Sequence, residues 1–214
     1  MNTRTRDFVL LGVVVCVAAV SLFLGLRGRS PKIDLGVYEA LGAITAEETA
    51  KSLHDKTKLL LIARDTGSDK NPSLEAQINA FQQALKKHRN VNIIVERFVA
   101  SPMTMMATGG GIPPDQFSLI LEKHKDISAI VVFCPLPPLS DSDIAFLRNR
   151  KARIVVASSF RPDYSGLIKQ GVIEMVIAPK QEPPPSDASQ PRTLRELFDR
   201  EFVILRSADV GIGN

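Results

Sequence analysis

Lys58-Leu59-Leu60-Leu61-Ile62-Ala63, followed by Arg64-Asp65-Thr66-Gly67, is the stretch on which the fold turns. A continuous apolar run without polar alternation reads as a strand covered on both faces, and the Arg-Asp-Thr-Gly after it stops the strand with turn residues. Just beyond, Asn71-Pro72 sets a capping side chain before a proline suited to the first helical position. Leu74, Ile78, Phe81 and Leu85 then recur at spacings of four, three and four, one apolar helix face. A buried strand feeding an amphipathic helix is the repeating half of an α/β sheet.

Toward the C-terminus the alternation continues. Strands are expected over 91–99, 129–134, 153–157 and 173–178. Helices are expected over 114–125 with Phe117, Ile120 and Leu121 inward, from Ser140 through Ile144 and Leu147, and over 164–170. Five apolar strands alternating with four helices, joined by right-handed crossovers, predict a doubly wound, mainly parallel five-stranded sheet. On the N-terminal side, Thr45-Ala46-Glu47-Glu48 has the spacing of a capping box, which predicts a short helix after a polar stem. Thr193-Leu194-Arg195-Glu196 repeats that spacing and opens a last helix, with an edge strand expected over 202–205. The expected organisation is a tail (1–7), a transmembrane helix (8–26), a stem with a short helix (27–57), the α/β domain (58–180), a Pro- and Ser-rich linker (181–191) and a C-terminal helix with an edge strand (192–214).

Residues 8–26, FVLLGVVVCVAAVSLFLGL, run for 19 positions without a charge. At ~1.5 Å per residue they cover ~28 Å, close to the ~30 Å hydrocarbon thickness of a bilayer. A secretory signal is the competing reading, since Arg4 and Arg6 form a basic leader and Ala19-Val20-Ser21 offers small residues for cleavage. Cleavage there would leave Leu22, Phe23, Leu24 and Leu26 exposed, which favours an uncleaved anchor. Basic residues flank the segment on both sides, so they do not fix its orientation.

The chain has 214 residues, enough for one well-covered core beyond the anchor. Its formal charge of +4 comes mostly from Arg4, Arg6, Arg27 and Arg29 beside the span, which leaves no nucleic-acid footprint on the domain. The two cysteines are Cys16, inside the span, and Cys134, in an expected buried strand, so no internal disulfide is expected. That fits a cytoplasmic domain and equally a periplasmic one too large to need stapling.

Asn71-Pro72, Phe81 and Ala84 in the first helix, Asp115-Gln116-Phe117 opening the second, Ile127-Ser128-Ala129-Ile130-Val131-Val132 and Ala152-Arg153-Ile154-Val155-Val156-Ala157 together resemble the N-terminal lobe of the type I periplasmic sugar-binding proteins and the related repressor ligand domains. The resemblance covers residues 58–180. It implies a ligand contacted by loops at the carboxyl ends of the strands: Asp65 and Thr66 after the first, Cys134 after the third, and Ser158, Ser159 and Arg161 after the fourth. It also implies an exported domain, on the outer side of the cell membrane. The departure is that the family's chain crosses into a second lobe after the fifth strand and this chain does not. A partner would then sit where that lobe belongs, or the domain would pair with itself, or ligand binding has been lost.

Catalytic readings find little support in the residues. A phosphorylation-receiver site built on Asp65 would need a carboxylate cluster to hold a metal ion, but the third strand ends at Phe133-Cys134-Pro135. Cys134 as a nucleophile would need a base or helix terminus to lower its pKa, and a small core residue is the plainer reading. His54, His88 and His124 sit near expected helix ends without metal-ligand spacing. Gly109-Gly110-Gly111 lacks the Lys-Ser/Thr of a phosphate loop. Residues 100–113, with Met103, Met105 and Met106, form a long connection suited to an adaptable partner contact. The expectation is therefore a non-enzymatic, membrane-anchored extracytoplasmic module, without cofactor or metal, that binds a protein partner or a small polar ligand; the alternative is an accessory subunit of a larger membrane complex.

Overall fold

A computed structural model of the chain describes residues 34–54, 56–67, 71–88, 90–150, 152–158, 163–182 and 191–210. The expected transmembrane span, 8–26, lies outside them. Among the described residues no helix is long and apolar enough to cross a membrane. Leu35–Asn214 forms one compact unit, and of the preceding unit, Met1–Asp34, only Asp34 is described.

The expected first strand is β1, Lys58–Arg64, and Leu59 to Ala63 within it have no exposed surface. It leads to α2, Pro72–His88, where Ile78, Phe81 and Leu85 are buried as their spacing requires. The Asn71 side chain caps this helix, its Oδ1 accepting from the Ser73 and Leu74 N–H groups at 3.1 and 3.3 Å. An Asn71→Ala change should lower stability by about 1 kcal/mol in urea denaturation, since it strips partners from two helix-start donors.

The chain continues through β2 (Asn92–Phe98), α3 (Pro102–Ala107), α4 (Pro114–Lys123), β3 (Ala129–Val132), α5 (Asp141–Arg150), β4 (Arg153–Ala157), α6 (Ser165–Lys169), β5 (Met175–Pro179), α7 (Leu194–Glu201), β6 (Phe202–Arg206) and α8 (Ser207–Val210). The strand order is β2-β1-β3-β4-β5-β6. The first five strands pair in parallel, and β6 lies antiparallel on β5, with Pro179 opposite Phe202. The sheet thus has six strands, the five expected parallel ones and the edge strand expected over 202–205, which runs to Arg206. Order reverses at β1, which sends the chain to β2 on one side and, after β2, to β3 on the other. Loops leave a crevice at the carboxyl ends beside such a switch point.

Alternate residues of β1 divide the core. Leu59, Leu61 and Ala63 pack with α2, α7 and the N-terminal helix, whereas Leu60 and Ile62 pack with α4, α5 and α6. The N-terminal helix, α1, is Gly36–Ser52, so the expected polar stem is helical from Gly36. Thr45 does not cap it. The Thr45 hydroxyl donates to Leu41 O at 2.6 Å and the Thr49 hydroxyl to Thr45 O at 2.6 Å, which satisfies both groups inside a buried helix. Glu48 likewise turns away from the backbone, toward Lys51, Arg195 and Arg206. Alpha-helical packing of Ala40, Leu41, Ile44, Ala46 and Ala50 into the core decides this element, not the cap pattern.

The long connection over 100–113 also contains structure. Ser101 Oγ accepts from Thr104 N at 3.1 Å and starts the six-residue α3. Gly109 and Gly110, at φ 57° and 82°, then turn the chain back. Their N–H groups donate to Met106 O and Met105 O, so these donors are spent on closing the helix and not free to cradle an anion.

Candidate functional site

The crevice beside the switch point is a cleft of about 470 Å³. Arg64 enters it from the end of β1, Phe133 and Cys134 from the end of β3, and Ser73 and Gln77 from the first turns of α2. Tyr38 and Leu41 of α1 approach from the sheet face, and Met105 and Met106 of α3 from the other side. Phe202 closes the far wall, because antiparallel β6 begins where parallel β5 ends. A shallow hollow of about 610 Å³ adjoins, sharing Arg64, Asn71 and Met105 with the cleft. Volumes of this order suit small molecules, and an apolar lining with few polar groups is the usual make-up of such sites.

The expected site residues divide among these surfaces. Asp65 and Thr66 line the shallow hollow and not the cleft itself. The Asp65 carboxylate accepts from Gly67 N at 2.9 Å, and the Thr66 hydroxyl accepts from Asn71 N at 3.3 Å, so both also shape their own turn. Cys134 lines the cleft and is 7% exposed. Burial pushes its thiol up to about 12, against the opposing pull of the Arg64 guanidinium and a backbone hydrogen bond from Ile112. It stays protonated at neutral pH, which suits packing and not nucleophilic attack. Ser158 is buried behind the β4 end, its N–H donating to Ile177 O at 3.0 Å, and does not line the cleft. Ser159 and Arg161 lie outside the described residues.

Tyr164 serves the frame. Its hydroxyl accepts from Leu136 N at 2.7 Å and ties the start of α6 to the segment after β3. Burial lifts it to about 12.

Arg64 and Gln77 are among the cleft residues that sequence reading passed over. Among the described residues Arg64 is the only charged one lining the cleft. Its Nη1 donates to the Met105 thioether at 3.4 Å, a weak acceptor, and among the described residues no carboxylate forms a salt bridge with it. Gln77 is 6% exposed, and its Nε2 is buried without a hydrogen-bond partner among the described residues. Position at a strand end was the signal available for Arg64. For Gln77 there was none, because its burial depends on α1 docking over it.

No protein-family model matches this chain, and no curated protein matches it. Among solved structures it is similar to type I periplasmic sugar-binding proteins and to LacI-type ligand domains. A sugar ABC transport substrate-binding protein from Bordetella parapertussis shares 9% identity at a TM-score of 0.52, covering 82% of this chain and 57% of that one. A protein described as a LacI transcriptional regulator from Bacteroides fragilis shares 12% at 0.50, covering 83% and 62%. A chain of the XylFII-LytSN complex shares 12% at 0.50, covering 80% and 60%. At these identities the likeness is one of fold. The chain spans about six-tenths of the length of each of these three.

Proposed function

We propose that this chain is a non-enzymatic, membrane-anchored extracytoplasmic binding module. Its cleft at the strand carboxyl ends receives a small polar ligand, and the adjoining α3 turn meets a protein partner. The observation that carries the reading is the cleft itself: about 470 Å³ at the switch point of a periplasmic-binding-protein-like sheet, mostly apolar, with a single charged residue among its described lining. The partner half is supported by Met103 and Met106, which are 81% and 86% exposed beside the cleft, flexible thioethers of the kind that adapt to varied apolar surfaces. That one similar solved chain comes from a complex, XylFII-LytSN, is consistent with such a partner. Location rests on the uncharged segment 8–26 and on the exported character of the sugar-binding proteins the fold resembles.

Calorimetric titration of the full chain in detergent with small polar metabolites tests the ligand half, and a binding isotherm for at least one is expected. Alkaline phosphatase fused at the C-terminus tests location and should be active; a silent phosphatase beside a bright fluorescent-protein fusion would put the domain inside the cell and sink the extracytoplasmic reading.

A second reading, an accessory subunit of a larger membrane complex, is favoured by a different surface. Among the described residues β2 ends the sheet and pairs on one side only, and near it Val99 and Leu119 are 67% and 63% exposed. Paired Val99→Glu and Leu119→Glu changes should release a co-purifying subunit if that reading holds, and should leave co-purification through α3 untouched if it does not.

A further inference from the structure

Resting on the binding-module reading above, we infer that the cleft selects ligands bearing one carboxylate group, seated on Arg64, in preference to neutral sugars. The inference starts from charge. Arg64 brings a permanent cation into the cleft, and among the described residues no acidic side chain lines that cleft to offset it. Guanidinium groups held in such places are ordinarily paired in a bidentate way with carboxylate or phosphate. Here the fork meets the Met105 sulfur, which accepts weakly and leaves most of its donors unused within the described residues. A second donor points the same way: Gln77 lines the cleft with a buried, unpartnered amide nitrogen, a cost that a ligand oxygen would remove. A ligand that supplies acceptors and one negative charge satisfies both residues at once. A neutral polyol supplies acceptors but leaves the cation without a counter-charge.

Charge balance among the described lining residues favours an anion with a single charge. Gly109 and Gly110 N–H groups are committed to α3 carbonyls, and the first free donors of α2, on Ser73 and Leu74, are taken by the Asn71 side chain. A phosphate monoester carries about −1.5 to −2 charges, more than the single described arginine of the lining balances. A carboxylate matches it. The remaining lining, Leu41, Leu74, Phe133 and Phe202 among it, suits a partly apolar body behind the acid group.

Thermal-shift and calorimetric measurements on the full chain in detergent would use matched acid and neutral pairs: glucuronate with glucose, gluconate with sorbitol, lactate with propane-1,2-diol, and glucose 6-phosphate as the phosphate arm. At least one acid should bind about tenfold or more tightly than its neutral partner. That preference should vanish in Arg64→Gln, return in part in Arg64→Lys, and weaken as salt is raised. Each variant's melting curve first establishes that it folds. If neutral members bind as tightly as their acids, or Arg64→Gln keeps the preference, or the phosphate sugar binds best, the carboxylate inference fails while the binding-module reading stands. Silence from every pair overturns both.

Discussion

Glu48→Gln is expected to lower the stability of the Leu35–Asn214 unit by about 3 kcal/mol at neutral pH and to flatten its response to acid. The Glu48 carboxylate is 2% exposed. Its Oε1 accepts from Lys51 Nζ at 2.7 Å and Arg195 Nη1 at 3.0 Å, and its Oε2 accepts from Arg206 Nη2 at 2.6 Å. Burial by itself raises the carboxyl, but the hydrogen bonds from Lys51, Arg206 and Arg195 outweigh it and bring the group from 4.5 down to about 2. A carboxylate whose pKa falls on folding contributes stability that is complete above its unfolded value. That contribution drains away as pH drops from about 4.5 toward 2. At about 1.4 kcal/mol per pKa unit the shift corresponds to the stated loss. The three cations keep half or so of their surface in water and rehydrate when the carboxylate is neutral, so the penalty belongs to Glu48 alone.

Urea unfolding of both proteins at pH 7 and pH 3 reads the effect as a difference, which cancels other acid-sensitive groups such as Glu96 and Asp163. The gap between wild type and Glu48→Gln should be wide at pH 7 and shrink at pH 3. A gap that stays constant would remove Glu48 as the acid-sensitive tie. The tie also reaches the cleft, for it holds α7 and β6 against α1, and β6 carries Phe202 on the cleft wall.

Glu48 also marks where the sequence misleads. Read as the end of a capping box, it placed a helix start at Thr45 and left the preceding residues as stem. α1 is covered on most sides by α2, α7 and the sheet. Residues 40–46 are all buried or nearly so, and such a helix has no polar face to produce a 3.6-residue contrast. β1 and α2 were legible for the opposite reason, since one is buried on both faces and the other on one, and each burial pattern leaves its own period. The carboxyl-end loops were named through the family resemblance, and of the residues it implied Cys134 lines the cleft while Asp65 and Thr66 line the hollow beside it. Arg64 was read only as one of the residues that stop β1, and Gln77 drew no reading. Its burial follows from the docking of α1, the element whose start was misplaced.

That docking yields the second large effect. Gly42→Ala should cost about 1–3 kcal/mol, the usual range for overpacking a filled interface, and Gly42→Val should cost more. A Cβ added at Gly42 would stand 2.1 Å from Gln77 O and 2.9 Å from Gln77 C, both backbone atoms that cannot rotate aside. The only relief is for α1 to move off α2. Movement there draws Tyr38 and Leu41 away from the cleft and disturbs the turn that carries the Gln77 amide, so the variant couples stability to binding. In calorimetry Gly42→Ala should weaken any acid ligand of the wild type even under conditions where the variant is fully folded. Arg64→Gln, by contrast, should weaken the acid ligand without a comparable fall in melting temperature. A Gly42→Ala protein as stable as wild type would mean that the helices are not held at this spacing. A destabilised Gly42→Ala protein with unchanged affinity would mean that the cleft does not depend on α1.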